Sequence, residues 1–73
     1  MNVKEFDSVR TTVAVQALFA GRTIPAGTEG AIVEVLDDGA CVADFELDAT
    51  DDDPGFVQAE LTKDQYEVIS STA

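Results

Sequence analysis

The chain has no histidine. That removes the imidazole base of a nucleophilic triad and a common nitrogen ligand for metals. It has one cysteine, Cys41, so no internal disulfide can form, and the usage fits a reducing compartment. Only four residues are basic. That is too few to neutralise a run of phosphates, so nucleic-acid binding has no driving force. No stretch approaches the ~20 apolar residues of a membrane-spanning helix. Residues 1–7 lack the apolar run of a signal peptide. A cytoplasmic protein with no membrane and no nucleic-acid partner is the expectation.

What the chain does have is acid. Fifteen acidic residues give a formal net charge of -11 and a pI near 4.1. Such a surface repels nucleic acid and anionic lipid, and it speeds encounter with basic proteins. The plainer reading of the same charge is solubility. Disorder is the other reading of an acidic chain, but 45% of the residues are hydrophobic and they fall in alternating blocks, which disordered segments lack. At 73 residues there is room for one domain, residues 1–73, with 1–6 as a lead-in and 70–73 as a frayed tail.

The organising stretch is residues 24–39. Pro25-Ala26-Gly27 makes a turn, residues 31–36 suit a pleated strand, and Asp38-Gly39 between apolar runs signals a hairpin. Before it, residues 7–15 predict a first strand with Val9, Thr11, Val13 and Val15 inward, and Phe6 tucked against the core. Residues 16–23 form a long, mobile connection. Its Leu18 and Phe19 either cap the open end of a barrel or make an exposed partner-binding patch; capping is the simpler expectation, because large exposed apolar patches are unusual. Both faces of 31–36 are largely apolar, with Ile32, Glu34 and Leu36 sharing one of them, so this strand is central. Residues 40–47 follow, with Cys41, Ala43, Phe45 and Leu47 inward. The loop at 48–55 carries four aspartates that repel one another and hold it open and solvated. Residues 56–61 predict a fourth strand, with Val57, Ala59 and Leu61 on one face. Thr62 and Gln65 have capping-box spacing, so a short 3₁₀ or α turn precedes a last strand at 66–69. The fold expected is all-β: a small five-stranded SH3-like barrel.

Little of this can carry chemistry. Cys41 lies mid-strand among apolar residues with no basic neighbour, as inert core thiols do. The aspartate loop fails the calcium EF-hand pattern: counted from Asp48, the place of the obligatory Gly is held by Asp53 and that of the closing Glu by Ala59. Glu34, Asp44, Glu46 and Glu60 fall on outward strand positions, with no cleft to shift a carboxyl pKa. An enzyme is not expected, and no catalytic, cofactor-binding or metal-binding residue is assigned.

Two resemblances add to this. Residues 25–33 look like the Gly-x-x-Gly-x-apolar-Val core of KOW-type SH3-like barrels, many of which bind RNA. Here Glu29 sits inside the turn and the lysines and arginines are missing, so the likeness supports the fold and not that activity. More broadly, Asp7-Ser8-Val9, residues 24–35, Val42-Ala43-Asp44-Phe45 and residues 61–69 resemble the small bacterial proteins of domain-of-unknown-function family 4926. Tyr66 stands where that family usually has an apolar residue, and the 48–53 loop is more acidic than typical. The resemblance brings no catalytic residues. It implies an SH3-like barrel, and small acidic members look like partners encoded beside toxin-like proteins.

These readings converge on a small acidic module that binds a basic protein, with an antitoxin or immunity protein covering a nuclease-like toxin as its concrete form. Asp37, Asp38, Asp44, Glu46, Asp48, Asp51, Asp52 and Asp53 would imitate substrate charge, and Leu18, Phe19 and Phe56 would be the apolar anchors. The alternative is an accessory or regulatory subunit of an enzyme complex.

Overall fold

The structure, a computed structural model, describes residues 3–19 and 21–70. It is all-β with two short 3₁₀ turns. The strands are β1 (Ser8–Thr11), β2 (Val15–Gln16), β3 (Thr23–Ile24), β4 (Glu29–Val35), β5 (Cys41–Glu46), β6 (Phe56–Leu61) and β7 (Tyr66–Ser70). Five of them form one antiparallel sheet in the order β6-β5-β4-β1-β7, and β2 with β3 makes a separate hairpin. The expected strands, their order and the central place of β4 are present. The expected closed barrel is not: among the described residues β6 and β7 are left as the two edges of an open sheet.

Alternation builds the core. Val9 and Thr11, then Cys41, Ala43 and Phe45, then Val57, Ala59 and Leu61 are buried, and Ile24, Ile32 and Tyr66 close over them. Each strand thus gives one face to the interior. β4 departs from strict alternation. Ile32 lies opposite Ala43 and Glu34 opposite Val42, so β4 uses two residues where β5 uses one. This bulge turns Glu34 to the outside, and it no longer shares a face with buried Ile32 as expected.

Four expectations change in the first third of the chain. β1 ends at Thr11, because the Thr12 N–H donates to the Gln65 carbonyl (2.9 Å) and its hydroxyl to the Asp64 carbonyl (2.9 Å). The chain bends there, so Val13 is exposed while Val15 is buried again. The connection at 16–23 is a hairpin, closed by the Ala17 N–H on the Arg22 carbonyl. Phe6 does not tuck in; its φ of 72° turns a ring outward that is 66% exposed. Leu18 and Phe19 do not cap the sheet, since both lie at the hairpin tip and Phe19 is fully exposed.

The 48–53 loop is tighter than its charge suggests. Thr50 and Asp53 exchange backbone hydrogen bonds of 2.7 and 3.3 Å. Asp53 also accepts from the Gly55 N–H (2.8 Å) and pairs with Arg22 (3.4 Å), which fastens the loop to the β2–β3 hairpin. Asp48, Asp51 and Asp52 stay solvated. The turn before β7 forms as expected over Lys63–Gln65, with the Gln65 side chain accepting from the Thr62 N–H at 2.9 Å. Ser70 ends β7, and residues 71–73 of the expected frayed tail lie outside the described residues.

Two details hold the sheet's centre. Thr11, 2% exposed, has every polar atom engaged. Its N–H donates to the Thr28 carbonyl (2.9 Å), its carbonyl accepts from the Gly27 N–H (2.8 Å), its hydroxyl donates to the Pro25 carbonyl (2.9 Å), and that hydroxyl accepts from the Thr28 N–H (3.1 Å). Gly27, at φ 86°, allows the turn. Gly30 is required for space instead, since a side chain there would collide with the Asp44 carbonyl and the Phe45 ring. Thr11→Val keeps the shape but leaves the half-buried Thr28 N–H without its acceptor, while the Pro25 carbonyl still accepts from the Thr28 hydroxyl, so we expect it to lower unfolding free energy by about 1–3 kcal/mol in urea titration. Gly30→Ala should cost about 1–3 kcal/mol by the same measurement, through overpacking rather than lost hydrogen bonds.

Candidate functional site

The acidic and aromatic residues singled out by the sequence fall in three places. Asp44, Glu46 and Phe56 come together: Glu46 lies opposite Phe56, and Asp44 opposite Gln58, on the outer face of β5 and β6. Asp37 and Asp38 sit in the β4–β5 turn, where Asp38 takes φ 60°. Asp48, Asp51, Asp52 and Asp53 lie beyond the other end of β5. Six residues of strand, about 20 Å, separate the two ends, so these clusters do not form one patch. Asp53 differs from its neighbours because Arg22 and the Gly55 N–H occupy its carboxylate.

The outer face of the sheet holds more acid than the sequence assigned to a site. Cross-strand partners share a face. Val42 lies opposite both Glu60 and Glu34, and Arg10 opposite both Glu29 and Glu67. Glu29, Glu34, Asp44, Glu46, Glu60 and Glu67 therefore share one surface with Arg10, the single strand-borne cation among the described residues. Arg10 is itself paired to Glu67 at 3.2 Å, an exposed contact worth little. Alternation alone makes Glu60 outward, whereas Glu34 is turned outward by the β4 bulge. That they join Asp44 and Glu46 depends on strand order and on the β4 bulge, which no local pattern reveals.

A shallow depression of about 350 Å³ lies on this face, lined by Asp44, Phe56, Val57 and Gln58. Phe56 is 69% exposed beside it. The Leu18 N–H donates to the Gln58 carbonyl (2.7 Å), which brings the β2–β3 hairpin tip to the same edge. Phe19 at that tip has φ 61°. A bulky residue in the left-handed region costs free energy and is uncommon outside constrained positions. Leu18, Phe19, Phe56, Asp44 and Glu46 thus make one neighbourhood, an anionic surface bordered by exposed apolar side chains.

The interior offers no comparable chemistry. Burial pushes the Cys41 thiol up from its ordinary pKa, and the Tyr66 hydroxyl beside it offsets part of that. The Tyr66 phenol is also raised, by burial first and then by Cys41. Its hydroxyl donates to the Gly39 carbonyl. Among the described residues no group of three or more Cys, Asp or Glu is placed to hold a metal ion, and no helix is long and apolar enough to cross a membrane. No protein family, no curated protein and no solved structure matches this chain.

Both interior groups hold their protons more tightly folded than unfolded. Their contribution to stability is complete below the ordinary thiol and phenol ranges and is lost as pH rises through the raised values. We expect unfolding free energy to fall above about pH 9, measured by urea denaturation at about pH 8 and about pH 10. Cys41→Ala should remove the earlier part of that fall. A thiol reagent should label Cys41 only upon unfolding.

Proposed function

We propose that this chain is a protein-binding module that covers a basic surface on its partner, in the manner of an antitoxin or immunity protein acting on a nuclease-like toxin in the cytoplasm. The reading includes a partly open SH3-like barrel of the kind its sequence resemblance implies. The observation that carries it is the outer sheet face: six carboxylates against one guanidinium, bordered by exposed Phe56, Leu18 and Phe19. Charge of one sign steers a basic partner and raises the association rate, while buried aromatic anchors slow its release. The depression between Asp44 and Phe56 suits an arginine of the partner. Its guanidinium would take the carboxylate as hydrogen-bond acceptor and the ring face as a cation–π surface.

Two variants separate the roles in a pull-down from the native host. The unaltered chain should retain a basic protein at low salt and release it as ionic strength rises. Replacing Asp44, Glu46 and Glu60 together by Lys should abolish retention without lowering thermal stability, since it relieves self-repulsion. Phe19→Ala should weaken binding by about tenfold to a hundredfold, chiefly in the dissociation rate. Salt-insensitive recovery of acidic or neutral proteins alone would overturn the reading.

A further inference from the structure

We propose that the free edge of β7 is a docking groove for an extended basic peptide segment, which joins the sheet there as an added strand. A groove of about 780 Å³ lies against β7, with Val3, Tyr66 and Val68 in its lining. Val3 and Val68 are half-buried and pack on the core, so the groove has an apolar side. Among the described residues β7 pairs with β1 alone. The Thr12 N–H donates to the Gln65 carbonyl, and Glu67 stands opposite Arg10. By antiparallel alternation the backbone groups of Glu67 then face β1, and those of Tyr66 and Val68 face away. These outward donors and acceptors are the ones strand addition uses. The other edge is guarded, since the β2–β3 hairpin tip reaches β6 through the Leu18 N–H.

Charge selects the occupant. Asp38 lines the groove with a carboxylate and Lys63 with an ammonium, and the Glu67 carboxylate beside them is shared with Arg10, so the occupant's sign is set by the chain's formal net charge of -11. A second copy of the chain would bring another formal charge of -11 to the edge, which opposes self-pairing. A segment alternating apolar and basic residues fits. Its apolar side chains face Val3 and Val68, and its basic ones lie on the outer face beside Glu67. This rests on the proposed function only for the sign of the partner's charge; the site is the sheet edge and not its outer face.

The test is an amide chemical-shift titration of the isotope-labelled full chain with a short alternating valine–lysine peptide. The same peptide is run with its edge-facing amides N-methylated, and again with glutamate in place of lysine. We expect saturable shifts at Val3, Tyr66 and Val68 and slower hydrogen exchange along β7. N-methylation should weaken binding by about tenfold or more, and the glutamate peptide should not bind. Shifts confined to Asp44, Glu46 and Glu60 would overturn the groove and leave the outer-face reading intact. Undiminished binding after N-methylation, or no saturable shift, would also overturn it. A native partner that binds β7 and ignores the triple Lys variant would sink the outer-face reading and support this one.

Discussion

One buried threonine ties the molecule together. Thr11 closes four hydrogen bonds onto the 25–28 turn, and that turn launches the central strand. β1 is thereby fixed against β4 at the point where the chain must also bend toward the β2–β3 hairpin. The Thr12 contacts with Asp64 and Gln65 fix the same point against the last 3₁₀ turn. Three segments distant in sequence meet at two adjacent residues. Buried polar groups are costly unless all are satisfied, so this junction specifies one arrangement rather than merely adding stability.

The charge distribution follows from that frame. A sheet with one face on a small core must put its other face in solvent, and this chain fills the solvent face with carboxylates. Self-repulsion among them opposes compaction. Among the four basic residues of the sequence, Arg10 and Arg22 are engaged within the molecule, on Glu67 and Asp53. The Arg22 pair joins the hairpin to the acidic loop, so it stabilises the two segments least supported by the sheet. The excess negative charge is left outward on β4, β5 and β6.

What could be read from the sequence was whatever depends on local period. The β5 and β6 positions Cys41, Ala43, Phe45, Val57, Ala59 and Leu61 alternate cleanly and are all buried. The turn at 62–65 was visible in its spacing and is present. Illegible features all needed a distant partner. The bulge at Ile32/Glu34 exists because of register with β5. The end of β1 is set by carbonyls over fifty residues away in Asp64 and Gln65. The exposure of Phe6 and Phe19 comes from left-handed backbone at each, which nothing in a phenylalanine signals. The site was legible to the same degree: individual outward carboxylates could be read, but their assembly across four strands could not.

The placement of the apolar residues bears on what such a surface is for. Solubility alone calls for charge and gives no reason to hold Phe19 in a strained backbone with its ring fully in water. The strain is sustained by a hairpin braced from two sides, through Leu18 on Gln58 and Arg22 on Asp53. An exposed aromatic has only two side-chain torsions to lose when a partner buries it, so the entropic cost of using it as an anchor is small. Pairing that anchor with a one-signed face divides the work of recognition. Long-range charge governs how often a basic protein arrives, and a short-range apolar contact governs how long it stays.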